Sequence, residues 1–259
     1  MKLPKDKKVI VERHNKIVYD CGKTVAKVFN GAKPAADILN EALNLTRADQ
    51  AGIRVPELVE VSRDGVNWVI VTKKVKGPTL RQLLQKDPSR EDEILDYLIA
   101  LELDVHAHTN PLLNRQKDKL ARMINSLGET ITEAQRYELL HSLEGMPNHT
   151  KICHGDFVPS NIIVPDGDIE GSEAATILDW AHASQGNGGA DCAITYLHLI
   201  LGGEKEFAEK YLKRYCELQG CTVAYVQSWM SIVAAAELAR GRMFEKDFLL
   251  SWVDVVDWV

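Results

Sequence analysis

The sequence predicts an α+β protein in which a small antiparallel β lobe precedes a larger, mainly helical lobe. Up to about Val75, short β-rich runs alternate with polar turns, whereas from Thr79 onward apolar residues recur at helical spacing. The segment Val75-Lys76-Gly77-Pro78 separates the two patterns and is typical of a hinge. We therefore divide the chain into residues 1–75 and 76–259.

The first lobe is expected to hold five strands and one helix. Pro34 opens a segment with helical spacing of apolar residues, and Gly52 suits its C-terminal cap. The first three β-rich runs are close enough along the chain to form an antiparallel meander. The runs are Val9–Val11, Ile17–Tyr19, Thr24–Phe29, Val55–Val61 and Trp68–Thr72.

The second lobe is expected to be helical except around its polar motifs. Amphipathic spacing predicts helices near Leu80–Leu84, Ile94–Leu101, Lys117–Leu127, Thr132–Leu143, Phe207–Leu218 and Val223–Ala239. Brief strands are predicted at Lys151–His154, Ile162–Val164 and Thr176–Leu178.

Composition argues for a small-molecule partner. The 259 residues include 37 acidic and 31 basic ones, a net charge of -6, so there is no broad basic footprint for nucleic acid. Five cysteines without Cys-x-x-Cys spacing indicate neither a disulfide framework nor a zinc site. The chain starts without an apolar signal region, and its best apolar run, Ile232–Ala236, is too short for a bilayer. We expect a cytoplasmic protein without a membrane partner; its oligomeric state is left open.

The most informative motif is His154-Gly155-Asp156-Phe157-Val158-Pro159-Ser160-Asn161, followed eighteen residues later by Asp179 in Ile177-Leu178-Asp179-Trp180. A buried aspartate in such a loop can simply cap backbone N–H groups. The joint pattern favours chemistry, because Asp156 and Asn161 have the spacing of the catalytic aspartate and magnesium-binding asparagine in the kinase signature. Asp179 then supplies a charged metal ligand at a strand end.

A lysine and a glutamate in the first lobe add to this pattern. Lys27 is expected to share a strand face with Val25 and Phe29, and Glu41 lies in the predicted helix. Alone, Lys27 is equally well explained as a solvated strand residue. Together the two residues match the ion pair with which protein kinases orient a phosphate-binding lysine.

The His-Gly-Asp-x-x-x-x-Asn and Leu-Asp-Trp runs resemble the aminoglycoside phosphotransferase and choline kinase superfamily, relatives of protein kinases that phosphorylate small-molecule hydroxyls. The resemblance covers nearly the whole chain and implies a two-lobe, protein-kinase-like fold. It implies that Asp156 is the catalytic base and that Asn161 and Asp179 hold Mg²⁺.

The same resemblance implies how ATP or GTP, the phosphoryl donor, is held. Lys27 would contact the α and β phosphates, braced by Glu41. Lys73 and Val75 would present the hinge backbone to the nucleotide base. The first turn, residues 12–15, contains no glycine, so the glycine-rich phosphate-covering loop of protein kinases is absent and another contact must shield the phosphates.

The resemblance also implies structural roles for two residues of the helical lobe. Asp191 matches an aspartate that usually supports the catalytic loop, and His106 matches a helix histidine.

The expected function is Mg²⁺-dependent transfer of the γ-phosphoryl group of a nucleoside triphosphate to a small-molecule hydroxyl. Aminoglycosides, choline-like amines, sugars and amino-acid alcohols all fit as acceptors. Acidic residues near the C-terminus either form a solvated face or meet an amine-bearing acceptor; they are Glu245, Asp247, Asp254 and Asp257. The alternative is a pseudokinase-like module that binds nucleotide without turnover. A protein kinase is disfavoured because no Ala-Pro-Glu segment follows Asp179.

Overall fold

A computed structural model describes residues 3–169, 175–242 and 245–253. The chain forms two compact units: residues 1–94 with 159–182, and residues 95–158 with 183–259. Asp254 and Asp257 of the acidic C-terminal set lie outside the described residues. The division into functional lobes at residues 1–75 and 76–259 stays a prediction. In the part of the chain described, no helix has both the length and the apolar character needed to cross a bilayer.

The first unit is built on a five-stranded antiparallel sheet with the order β1-β2-β3-β5-β4. Its first three strands form the expected meander. The fourth strand starts at Leu58 and not at the predicted Val55, because Pro56 has no N–H to donate to a ladder. The strands are β1 (Lys8–Arg13), β2 (Lys16–Asp20), β3 (Thr24–Phe29), β4 (Leu58–Asp64) and β5 (Asn67–Lys73).

The two faces of β3 have different environments. Phe29 packs with Ile70 of β5 and with Ile38 and Ala42, which lie on the helix after β3. Ala26, on the opposite face, packs with two valines of β5. Because side chains alternate along a strand, Lys27 lies on the face of Phe29 and is directed to the helix side of the sheet.

That helix, α1 (Ala35–Gln50), follows Pro34, whose fixed φ and missing N–H suit a helix start. It buries one stripe of residues that includes two polar ones, Glu41 and Asn44. The helix is followed by Gly52 at φ +91°, a left-handed conformation that glycine adopts readily. Buried polar groups on an otherwise apolar stripe need partners. In the site described below, Glu41 pairs with two lysines and Nδ2 of Asn44 donates a hydrogen bond, while Oδ1 of Asn44 has no partner within the described residues.

The first unit also contains α2 (Leu80–Lys86) and a two-stranded ladder of β7 (Ile162–Ile163) and β8 (Thr176–Ile177). Thr79 caps α2 in a capping box with Gln82.

The second unit is mainly helical. A short antiparallel pair, β6 (Lys151–Cys153) and β9 (Ser184–Gly186), brackets the motif loop. Helix α3 (Glu91–Ala107) enters this unit at Leu95. The other helices are α4 (Gln116–Ser126), α5 (Glu133–Gly145), α6 (Gly188–Leu201), α7 (Lys205–Gln219), α8 (Val223–Gln227), α9 (Met230–Ala239) and α10 (Lys246–Val253).

The prediction of one helix over Val223–Ala239 is wrong, because the helix breaks at Ser228 and Trp229. The Ser228 hydroxyl donates a hydrogen bond to the carbonyl of Tyr225, which competes with helical pairing. Trp229 is fully buried at the break.

Helix α6 was not predicted, because it lacks an amphipathic stripe. Nearly all of its residues are buried, so apolar side chains occur on every side and no helical period stands out. Asn187 caps it by accepting a hydrogen bond from the N–H of Gly189. A Cβ on Gly188 would lie 2.9 Å from Nδ1 of His106, so this close packing requires glycine.

Candidate active site

The first unit contains a cavity of about 530 Å³ on the helix-facing side of its sheet. Aliphatic side chains form most of its wall, and a few charged and amide groups converge on one end, as in many small-molecule sites. The apolar lining includes Ile10, Val18, Val25, Ala42, Leu45, Ile70, Ile163 and Leu178. The polar lining includes Lys27, Glu41, Lys73, Asn161 and Asp179.

Lys27 is the centre of the charged end. Its Nζ lies 2.8 Å from Oε1 of Glu41 and 3.0 Å from Oδ1 of Asp179. The strand register places Lys27 between Val18 and Ile70 on the neighbouring strands, so its stem is packed while its ammonium reaches the carboxylates. The structure therefore brings the predicted lysine and glutamate together with the Leu-Asp-Trp aspartate.

Two further lysines complete the cluster. Nζ of Lys16 lies 3.1 Å from Oδ2 of Asp179, and Nζ of Lys33 lies 2.8 Å from Oε2 of Glu41. Three cations thus surround two carboxylates, which leaves one net positive charge at this end of the cavity. Such an excess favours an anionic ligand.

The cluster holds its members in their charged forms. Burial would lower the pKa of Lys27, but Asp179 and Glu41 outweigh it and raise that pKa above its ordinary value. Burial would raise the pKa of Asp179, yet Lys27 and Lys16 hold it well below its usual range. The pKa of Glu41 is likewise lowered, because Lys27 and Lys33 outweigh burial and the repulsion of Asp179.

Asp179 has an unusual backbone. Its φ of +59° is in the left-handed region, which aspartate tolerates better than most residues. The flanking residues hold this conformation: the N–H of Leu178 donates to the carbonyl of Asn161 at 2.8 Å, and Nδ2 of Asn44 donates to the carbonyl of Trp180 at 3.1 Å. Helix α1 therefore braces the Asp-Trp segment and supplies Glu41.

The residues present fit a hard divalent cation. Asp179 supplies a carboxylate and Asn161 an amide oxygen, the oxygen ligands that Mg²⁺ prefers. Oδ1 of Asp179 is buried and accepts no aligned hydrogen bond within the described residues, although Lys27 is at ion-pair distance. An oxygen in that state has coordination capacity left for a ligand.

Lys73 and Val75 line the cavity at the end of β5. The backbone N–H of Lys73 donates to the carbonyl of Glu57 at 2.9 Å, so it is already engaged. The Lys73 side chain pairs with that of Glu57 at 2.5 Å, and both are 62% exposed, so its ammonium belongs to the surface. Both of these Lys73 groups therefore already have partners.

Asp156 lies in the second unit, on the loop that follows β6. The N–H groups of His154 and Gly155 both donate to the buried carboxylate of Asp191 at 2.7 Å. Nε2 of His106 lies 3.1 Å from the same carboxylate, which agrees with the structural role expected for both residues. Burial would raise the pKa of Asp191, but His106 and His154 lower it, so this carboxylate stays ionised.

The structure thus places six of the seven predicted site residues in the first unit, where they line one cavity: Lys27, Glu41, Lys73, Val75, Asn161 and Asp179. The seventh, Asp156, is on the motif loop of the second unit.

Sequence reasoning missed Lys16, Lys33 and, in the second unit, His198, which hydrogen-bonds Asp156. The register of β2 against β3 pairs Lys16 with Phe29, so Lys16 lies on the same face as Lys27. This strand register is what places Lys16 near Lys27, and a single sequence does not reveal it.

The five-stranded sheet with its helix, cavity and lysine–carboxylate cluster defines a protein with a kinase-like fold. The model of the phosphotransferase enzyme family matches residues 15–225, more than half of the sequence, and the chain belongs to that family. No protein of curated function matches the sequence.

Solved structures of aminoglycoside phosphotransferases share the fold. A thermostable mutant of APH(4)-Ia, in a ternary complex with AMP-PNP and hygromycin B, aligns with a TM-score of 0.71 at 14% identity over 97% of this chain and 93% of that one. The streptomycin–ATP–APH(2")-IIa ternary complex aligns with a TM-score of 0.60 at 15% identity, over 98% and 91%. Aminoglycoside-3'-phosphotransferase of type VIII aligns with a TM-score of 0.61 at 18% identity, over 86% and 92%.

Proposed function

We propose that this protein is a magnesium-dependent kinase that transfers the γ-phosphoryl group of ATP or GTP to a hydroxyl of a small molecule. The observation that carries the proposal is the cluster of Lys27, Glu41 and Asp179 at the charged end of the cavity. Such chemistry depends on positioning and on neutralising charge, and this cluster supplies both kinds of group.

In this proposal the cavity takes the nucleotide. The aliphatic walls hold the base, and the carbonyl of Lys73 with the backbone of Val75 meets its polar edge. Lys27, held by Glu41, contacts the α and β phosphates. Lys16 adds a second cation at the same end of the cavity. It would shield the phosphates in place of the absent glycine-rich loop.

Asn161 and Asp179 would hold the magnesium ion, which neutralises the charge on the phosphates when it is bound. Asp179 forms ion pairs with Lys16 and Lys27, so these ammonium groups must release it in part as nucleotide and metal enter. The excess positive charge of the cluster then faces the phosphates.

Asp156 would orient the acceptor hydroxyl and take its proton as the new P–O bond forms. Its loop is held by backbone hydrogen bonds to Asp191, so the carboxylate starts from a fixed backbone. Two of the neighbouring structures named above hold hygromycin B or streptomycin, which makes aminoglycosides the first acceptors to test. Choline-like amines, sugars and amino-acid alcohols complete the panel.

The test is nucleoside diphosphate release from MgATP and MgGTP across this panel, with Asp156→Asn as the blank. We expect acceptor-dependent release that falls at least about 100-fold in the blank, because a general base contributes at least that much. Asp104→Asn, an exposed aspartate of α3, is the matched control and keeps turnover. Full turnover in Asp156→Asn overturns the proposal, and nucleotide binding without release to any acceptor supports the pseudokinase alternative.

A further inference from the structure

A buried histidine on α6 connects Asp156 to a second carboxylate. Nδ1 of His198 lies 2.9 Å from Oδ1 of Asp156, and Nε2 lies 3.0 Å from Oε2 of Glu237 on α9. His198 is 8% exposed and Glu237 is fully buried. The first contact is a hydrogen bond, and the second is an ion pair with poorer alignment.

This arrangement favours a proton on both ring nitrogens of His198. A neutral imidazole donates from one nitrogen and presents a lone pair at the other, which would face a carboxylate oxygen about 3 Å away. Only imidazolium presents an N–H to both Asp156 and Glu237. Burial alone would lower the pKa of His198, but the two carboxylates outweigh it and raise that pKa above its ordinary value.

Glu237 is itself held ionised by arginines. Nη1 of Arg240 lies 2.5 Å from Oε1 of Glu237, and Nε of Arg242 donates to Oε2 at 2.8 Å. Burial would raise the pKa of Glu237, but Arg240 and His198 pull it well below its usual range. Nη1 of Arg240 also donates to the carbonyl of Gly155 at 3.3 Å, next to Asp156.

We propose that His198, held by Glu237, is a positioning residue that orients the Asp156 carboxylate for the acceptor hydroxyl. The inference rests on the proposed function, because it assumes that Asp156 is the base. The hydroxyl proton moves to Asp156 while the P–O bond to the acceptor forms and the bond to the nucleoside diphosphate breaks. His198 keeps both protons throughout, so its contribution is orientation.

The proposal predicts a specific pH dependence. Because the pKa of His198 is raised, the imidazolium persists to higher pH than that of an ordinary histidine and is lost as pH rises through the raised pKa. The charged groups that face His198 are Asp156 on the motif loop and Glu237 on α9. Turnover should therefore fall on the alkaline side, where the ring can donate to only one carboxylate.

A lysine coupled to Glu237 also titrates, and its titration must be controlled. Lys119 on α4 is electrostatically coupled to Glu237 and Arg240, and burial together with Arg240 lowers its pKa to about 7. An alkaline fall in activity that persists in Lys119→Gln is attributable to His198, whereas one that disappears in that variant overturns the pH assignment.

The first variant is His198→Gln, assayed with MgATP and hygromycin B, or with the acceptor of the panel that gives the highest turnover. We expect kcat to fall about 10- to 100-fold, a cost typical of a misplaced catalytic group, while KM for MgATP changes less than about threefold. The exposed His141→Gln is the matched control. Unchanged kcat in a folded His198→Gln protein overturns the inference.

The second variant tests the His198–Glu237 pair and leaves the imidazole ring of His198 in place. Glu237→Gln deletes the charge that stabilises the imidazolium, so the alkaline limb of kcat should move to lower pH. A purely structural role for Glu237 would lower kcat without moving the limb, and that result overturns the inference.

Two further results separate this inference from the proposed function. If Asp156→Asn abolishes turnover and His198→Gln keeps it, only the inference fails; if Asp156→Asn keeps turnover, the proposed function fails. In the wild-type full chain, ¹⁵N spectra of the histidine rings should show His198 protonated on both nitrogens at pH 6.5, the ordinary pKa of histidine, with or without an acceptor. A neutral tautomer there overturns the inference even if His198→Gln does not fold.

Discussion

Replacing Asp179 by asparagine should strengthen the binding of metal-free nucleotide while abolishing its magnesium dependence. The carboxylate lies about 3 Å from two ammonium groups, at 3.0 Å from Lys27 and 3.1 Å from Lys16. Asparagine keeps the shape and tolerates the left-handed backbone at φ +59°. The substitution thus removes one charge with little change of conformation.

The magnitude follows from the charge balance. Three lysines and two carboxylates give the cluster a net charge of +1, which becomes +2 in the variant. One unit charge acting on a phosphate about 6 Å away contributes about 3 kcal/mol at an effective dielectric of 20. Because Lys16 and Lys27 keep 18% and 22% exposure, we expect about 1 to 2 kcal/mol, or roughly 5- to 30-fold tighter binding of ATP.

Isothermal titration calorimetry with ATP in EDTA, and again in MgCl₂, measures both effects. The wild type should bind ATP more tightly with Mg²⁺, whereas the variant should show little difference and lose turnover. Asp64→Asn, an exposed change of the same charge outside the cavity lining, is the control. Weaker binding of metal-free ATP by Asp179→Asn would refute the electrostatic reasoning.

Two other predictions concern stability. Lys27→Met should lower the free energy of unfolding by about 2 to 3 kcal/mol, because it leaves the buried Glu41 carboxylate short of a partner. Adding Glu41→Gln should recover part of that loss, as measured by urea unfolding. A double variant less stable than the single one would contradict this. Gly77→Ala should cost at least about 2 kcal/mol, since φ is +126° and a Cβ would lie 2.3 Å from the carbonyl oxygen of Val164. Gly22→Ala, at φ +81° with nothing within 4 Å, should cost only about 1 kcal/mol. Equal losses for the two variants in thermal unfolding would contradict the packing argument.

The parts of the fold that follow from local patterns were predictable. Alternation along β3 is enough to place Lys27 with Phe29, and the helical period of α1 places Glu41 on its buried stripe. Helix α6 was not predictable, since burial on all sides removes the period that marks a surface helix. The break at Ser228 depends on one hydroxyl that competes with the helix, a choice that apolar spacing does not record.

Some residues of the candidate site could likewise be predicted from the sequence, and others could not. Motif spacing was sufficient to single out Asn161 and Asp179, which line the cavity, because their neighbours along the chain define the loop. Lys16 and His198 reach their partners through strand register and helix packing, with separations of 163 and 42 residues. Such contacts are fixed by tertiary structure, so a single sequence carries little signal for them.

Helix α1 makes the charged end of the cavity and the Asp-Trp segment mechanically dependent on each other. Glu41 holds Lys27, and Asn44, one turn further along the helix, holds the carbonyl of Trp180 beside Asp179. A rigid-body shift of this one helix would withdraw both supports at once. A substitution that displaced α1 would therefore disturb Lys27 and the Asp179 segment together, even if it lay outside the cavity lining.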